Sequence, residues 1–181
     1  MNWNTKLFFR INALIGRYRW LDLFGRAGAE WAIIAAVGWY GASAFLAGLP
    51  NGKTVFLYFA STALAWSMGF LTSWITGLMV KEVRPHATYP ECNLLFRPMS
   101  TWKSFPSDHA MAAFLLFFMA LLFGFSGAWA LLVLALWVVW GRVYAGAHYP
   151  IDIIGGLVLA GLVTAAVNLL LIVSGIWKPL Y

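Results

Sequence analysis

Charged residues make up only 10% of this 181-residue chain, and they gather in short islands between long uncharged runs. Hydrophobic residues account for 62% of it and the mean hydropathy is +0.79, well above the apolar content of a soluble domain. Runs of this length and composition suit helices that cross a bilayer, whose hydrocarbon core is about 30 Å thick. The chain is therefore read as an all-α integral membrane protein of about five transmembrane helices with an N-terminal interfacial helix. Ionisable groups are costly at membrane depth, so those near the spans mark candidate functional positions.

Residues 1–28 read as an N-terminal interfacial segment and 29–181 as the membrane domain. Trp3, Leu7, Phe8, Ile11, Leu14 and Ile15 recur at helical spacing among basic residues, and Trp20, Leu21 and Leu23 suggest a second interfacial turn. With Arg10, Arg17, Arg19 and Arg26, this stretch lacks the continuous apolar core of a cleavable signal peptide. Spans are expected from Trp31 to about Leu49 and from Val55 to Val80, separated by the turn signal Pro50-Asn51-Gly52. A last span is expected from about Pro150 to Ile176. Residues 81–106 hold six charged residues, Lys81, Glu82, Arg84, Glu91, Arg97 and Lys103, and four prolines, and read either as a lid or substrate loop or as a solvated connector.

The stretch from Ala110 to Trp140 decides the topology. One helix of that length would run about 46 Å, too long for a single crossing. Gly124-Phe125-Ser126-Gly127 interrupts it, which predicts two short antiparallel spans. The hairpin brings His109, Arg142, His148 and Asp152 to one membrane face, together with Lys81 and Arg84. A single long helix would set them on opposite faces, where they could not cooperate.

Two polar islands carry the chemistry: Phe105-Pro106-Ser107-Asp108-His109, and Gly141-Arg142 followed by His148 and Asp152. Ser107 precedes an apolar helical run. It reads as an N-cap, and the same helix end offers free N–H groups to phosphate oxygens. His109, just inside that helix, is either a proton donor or an interhelical hydrogen-bonder. Pro150 is a favoured first helical residue, which puts His148 in the preceding loop and Asp152 in the first turn. A carboxylate on one ring nitrogen fixes the tautomer and leaves the other nitrogen free to attack. Arg142, Arg84 and Lys81 are either snorkelling interfacial residues or donors to one phosphoryl group. Three histidines and the single Cys92 make a poor metal-ligand set, and Cys92 alone allows neither an intramolecular disulfide nor a cysteine-based metal site. The net charge of +6 is not spread over a soluble basic face. It points to anionic headgroups or a phosphorylated substrate and not to nucleic acid. Oligomeric state is not legible.

Lys81-Glu-Val-Arg84-Pro85, Pro106-Ser107-Asp108-His109 and Arg142-(five)-His148-(three)-Asp152 resemble the three-part motif set of the type 2 phosphatidic acid phosphatases, which vanadium haloperoxidases share. Asp108 stands where Gly is common, a variant similar to the bacterial undecaprenyl-diphosphate phosphatases of the bacitracin-resistance type. The N-terminal Gly-Arg-Tyr-Arg-Trp-Leu-Asp stretch is similar too, so the resemblance covers nearly the whole chain. Two positions depart from the pattern: the family's Lys seven residues before the motif Arg is Gly77 here, and the Ser before Arg142 is Gly141.

The resemblance implies a type 2 phosphatidic acid phosphatase-like bundle and a lipid pyrophosphatase acting on undecaprenyl diphosphate. His148 would attack phosphorus, Asp152 would orient it, and His109 would protonate the leaving oxygen. Ser107, Arg84, Arg142 and Lys81 would hold phosphate oxygens, with no metal or other cofactor. Within enzymes the alternative is a broader lipid phosphatase for phosphatidic acid or phosphatidylglycerophosphate. A non-catalytic lipid-binding or transport protein is the other class, although headgroup binding needs no nucleophile. The expected location is the bacterial inner membrane. Ten of the twelve Lys and Arg fall on the active face, opposite Lys53 and Lys178, which by the positive-inside rule would make that face cytoplasmic. The resemblance implies the outer face, and that placement is adopted here because several of those cations serve substrate phosphate.

Overall fold

A computed structural model describes residues 2–46, 51–97, 101–125 and 127–176; Leu49, Pro50, Ser126 and Lys178 of the sequence reading lie outside it. The described residues form helices α1 (Trp3–Asn12), α2 (Arg19–Glu30), α3 (Ala32–Leu46), α4 (Gly52–Val80), α5 (Pro85–Thr88), α6 (Asp108–Leu122), α7 (Ala128–Tyr144) and α8 (Pro150–Val173), with no strand among them. The all-helical membrane architecture expected from the sequence is the one observed.

Helices α4 and α8 are long and apolar enough to cross a membrane; α2 and α3 qualify together as one span bent by 53°. Helices α6 and α7 are shorter, at 15 and 17 residues, or about 22 and 26 Å at 1.5 Å per residue. They form the expected hairpin: α6 ends at Leu122, and Gly124 takes φ 71° in the turn before α7. Helix α4 begins where Asn51 caps it, its side chain accepting from Thr54 N–H at 2.9 Å.

Helix α6 is the hub, packed against α3, α4, α7 and α8. Ala110, Ala112, Ala113 and Ala120 are small enough to let neighbouring backbones approach, and Met111, Leu115, Leu116 and Met119 fill the gaps between them. In a bilayer, such packing, rather than expulsion of water, holds helices together. The outward faces of α4 and α8 expose Phe56, Leu71, Trp74, Val158 and Leu162, which suit lipid contact. At the end of α3–α4 remote from the polar islands, the Tyr40 and Tyr58 rings stack 4.3 Å apart. Tyr40 hydroxyl is hydrogen-bonded to Thr62, and Ser43 to Tyr58, so these buried polar groups have partners.

The N-terminal region differs from the expected pair of interfacial pieces. Residues 19–30 form a full helix instead of a turn, bonded side-on to α7. Its Gly25, Gly28 and Ala29 are buried in that seam, while Arg19, Asp22, Arg26 and Glu30 lie at i, i+3 and i+4 spacing on another face. Trp137 Nε1 donates to Phe24 carbonyl at 3.1 Å, and Tyr144 hydroxyl donates to Asp22 at 2.6 Å. Helix α1 is anchored as well. Asn12, fully buried, donates to the carbonyls of Asn93 and Tyr144 at 2.8 and 3.1 Å and accepts from Asn93 N–H at 2.9 Å. That one amide ties the 81–106 loop to the turn after α7.

Candidate active site

The turn between α7 and α8 is built for a fixed histidine. Gly146 takes φ 82°, and Tyr149, extended at φ −78° and ψ 157°, caps α8 with Pro150 as its first residue. His148 therefore sits in the loop and Asp152 in the first turn, as the sequence predicts. His148 is 2% exposed, and its Nδ1 lies 3.4 Å from Asp152 Oδ2. That same oxygen accepts from Ser104 Oγ at 2.5 Å and from Tyr149 N–H at 2.8 Å. The carboxylate is thus held from two sides and faces the imidazole without a hydrogen bond. Neither ring nitrogen of His148 has a hydrogen-bond partner among the described residues. Burial, with Arg142 and then Arg84 nearby, holds His148 well below the usual histidine range. A neutral ring keeps a lone pair for attack.

The cations arrive from three elements. Arg142, in the last turn of α7, is 5% exposed; it donates to Ala29 carbonyl at 3.3 Å and lies 5.4 Å over the Phe96 ring. Gly141 explains how α2 reaches it. A Cβ at Gly141 would stand 2.5 Å from Ala29 N, 2.7 Å from Gly28 C and 2.9 Å from Gly25 O, all backbone atoms. The missing side chain where the motif usually has Ser is thus the space that α2 fills. Arg84 follows α4, and its Nε donates to Lys103 carbonyl at 2.9 Å. Two cross-loop bonds, Arg84 N–H to Thr101 carbonyl at 3.2 Å and Ser104 N–H to Glu82 carbonyl at 2.8 Å, bring the ends of the 81–106 loop together.

Arg84, Asp108, His109, Arg142 and His148 share one cleft of about 660 Å³, with Arg26, Glu30, Trp31, Ile34, Phe96 and Arg97 completing its walls. The two polar islands are tied directly, Ser107 N–H donating to Asp152 carbonyl at 3.0 Å. Two imidazoles, a carboxylate behind one of them and two guanidiniums thus converge at a helix N-terminus beside an apolar wall. That set can hold a phosphoryl group, attack it, and move a proton.

The remaining expected site residues lie elsewhere. Ser107 is fully buried as the N-cap of α6, accepting from Ala110 N–H at 3.4 Å, and does not line the cleft. Lys81 is exposed at the end of α4 in a left-handed conformation, φ 53°, also away from the cleft wall. Sequence reasoning missed Lys103, Ser73 and Ser104. Lys103 is buried, and its side chain covers Gly77. A lysine in an otherwise solvated-looking loop carries no local signal for this, but the glycine where the motif usually has lysine marks the space it occupies.

A family profile described as the PAP2 superfamily matches residues 53–174. The chain belongs to this superfamily. It is a membrane phosphatase of that family, as the sequence resemblance implied. It is 32% identical over 164 residues to the putative undecaprenyl-diphosphatase YbjG of Escherichia coli (strain K12), covering 90% of this chain and 79% of that protein. It is 29% identical over 116 residues to the undecaprenyl-diphosphatase BcrC of Bacillus subtilis (strain 168), covering 64% and 58%. A shorter match, 38% over 85 residues, is to the bacitracin transport permease protein BcrC of Bacillus licheniformis, covering 47% and 41%. The fold is similar to that of Aquifex aeolicus LpxE, with a TM-score of 0.69 at 23% identity over 92% of this chain and 95% of that one.

Proposed function

We propose that this PAP2 protein hydrolyses undecaprenyl diphosphate to undecaprenyl phosphate and inorganic phosphate through a phosphohistidine, on the outer face of the bacterial inner membrane. The observation that carries the reading is His148: buried, backed by Asp152 at 3.4 Å, and sharing its cleft with His109, Arg84 and Arg142. Two relatives named undecaprenyl-diphosphatase support the choice of lipid. Four arginines around the cleft, Arg26, Arg84, Arg97 and Arg142, supply charge for two phosphates, and Trp31, Ile34 and Phe96 offer apolar surface to the first isoprene units.

In the first step the free ring nitrogen of His148 forms a bond to the terminal phosphorus. The bridging P–O bond breaks, and undecaprenyl phosphate leaves with a proton from His109. Asp152 stabilises the charge that develops on the His148 ring, while Arg84 and Arg142 hold the equatorial oxygens as charge redistributes. In the second step His109 takes a proton from water, the resulting hydroxide attacks phosphorus, and the N–P bond breaks. Phosphate departs and His148 regains its lone pair.

The test is phosphate release by the purified protein in lipid micelles from undecaprenyl diphosphate, phosphatidic acid and phosphatidylglycerophosphate. An alkaline quench during turnover should trap an acid-labile phosphoryl group at residue 148. Equal kcat/KM on all three lipids would replace the pyrophosphatase reading with a broader lipid phosphatase. No release from any of them would leave a lipid-binding or transport role.

A further inference from the structure

Asp108 is out of place in a phosphate cleft. Its carboxylate lines the same wall as Arg84, His109 and Arg142, where a bare negative charge would oppose an incoming phosphate. It is not bare. Oδ1 accepts from Ser73 Oγ at 2.5 Å and from Lys103 Nζ at 2.6 Å, and Lys103 Nζ also donates to Ser73 Oγ at 2.8 Å. The Lys103 side chain is 9% exposed and that of Asp108 36%. The carboxylate lines this cleft and Lys103 does not; Lys103 faces an adjoining cavity of about 370 Å³ that Asp108 and Arg84 also line.

The ammonium is held in place by α4. Gly77, one turn after Ser73, would place a Cβ 2.8 to 2.9 Å from Lys103 Cδ, Cε and Cγ, so any side chain there would displace the lysine stem. With glycine, the stem lies flat on the helix and aims Nζ back at Ser73 and Asp108. A buried charge pair with one partner removed leaves the other uncompensated, and here that other faces the substrate.

We propose that Lys103, clamped over Gly77 and bonded to Ser73, is a positioning residue that fixes Asp108 and cancels its charge, so that anionic phosphate can occupy the cleft. The inference rests on the phosphatase reading for its substrate, but its test has an arm that does not need turnover. Lys103→Met keeps the stem over Gly77 and removes the charge. Because the exposed carboxylate repels phosphate in ground and transition states alike, the loss falls on KM. KM should rise about ten-fold or more while kcat changes less than about three-fold. Tungstate, an inert phosphate-like anion, should lose affinity to the same degree by calorimetry.

Adding Asp108→Asn to Lys103→Met removes the uncompensated charge and should bring KM and tungstate affinity back to within about three-fold of the parent, a strongly non-additive pair. Asp108→Asn alone leaves the Lys103 charge uncancelled beside the cleft and should lower KM and tighten tungstate binding, which decides the matter if Lys103→Met fails to fold. Unchanged KM and tungstate affinity in Lys103→Met overturn the proposal. So does a loss that Asp108→Asn fails to repair, which would make Lys103 a direct phosphate ligand, and so does a KM or tungstate affinity in Asp108→Asn alone that is unchanged or weaker. A parent protein that binds tungstate but releases no phosphate from any lipid refutes the phosphatase reading and leaves the tungstate comparison to judge Lys103.

Discussion

Replacing Gly141 by alanine adds one methyl group and should disable the enzyme. The new Cβ would meet three backbone atoms of α2, at 2.5, 2.7 and 2.9 Å. Ordinary carbon contacts begin near 3.5 Å, so α2 must retreat by about 1 Å. No side chain can rotate to relieve the clash, because the obstacles are Ala29 N, Gly28 C and Gly25 O. Overpacking of this kind costs about 1–3 kcal/mol. The catalytic loss is larger in proportion. The retreat moves Ala29 carbonyl, which receives Arg142 at 3.3 Å, and a displacement of about 1 Å in a positioning group can cost about 100-fold in rate. The assay is kcat and KM for phosphate release, with the melting temperature measured in the same detergent. Gly38→Ala is the control, since nothing lies within 4 Å of a Cβ there. It should match the parent. If Gly141→Ala retains kcat/KM within about two-fold, the claim that α2 sets the position of Arg142 fails.

His148→Ala should abolish turnover without loss of the fold, and Asp152→Asn should be less severe because it misorients the nucleophile rather than removing it; near-parent kcat in His148→Ala would reject the phosphohistidine. His109→Ala should slow lipid monophosphates more than undecaprenyl diphosphate, because an alkoxide needs a proton more than a lipid phosphate does. The ratio of the two kcat losses checks this, and a larger loss on the diphosphate contradicts it. Chelators should leave kcat within about two-fold, because Arg84 and Arg142 supply the charge a metal would otherwise provide; loss with EDTA and recovery with one divalent ion would show the reverse.

What could be read from the sequence was local. The α6–α7 hairpin followed from an apolar run too long for one crossing and from the glycines inside it. The placement of His148 and Asp152 followed from Pro150, which fixes where α8 begins. The cleft that His148 shares with His109, Arg142 and Arg84 followed from hairpin parity. Long-range choices were not legible in this way. Lys103 reaches Ser73, 30 residues away in sequence, only because Gly77 leaves room. Lys81, three residues before Arg84 in the motif, is carried away from the cleft by the left-handed end of α4. Helix α2 did leave a signal: Arg19, Asp22, Arg26 and Glu30 recur on one helical face, and Arg26 pairs with Glu30 at 2.8 Å. Gly25 and Gly28, which break its apolar pattern, are the residues that dock it on α7.

The Asn12 amide has a consequence for how such a chain can change. The superfamily match begins at residue 53, yet Asn12 and Ala29 lie ahead of it and hold the loop and the guanidinium that shape the cleft. Removing that amide would leave Asn93 N–H and two carbonyls without their partner, at about 1–3 kcal/mol for each group that stays buried. The reaction and the frame around it are therefore inherited from different stretches of the chain. Exchanging residues 1–46 between relatives would keep His148, Asp152 and His109 while resetting the opening of the cleft they share with Arg142. Selectivity in this architecture can drift without touching the chemistry.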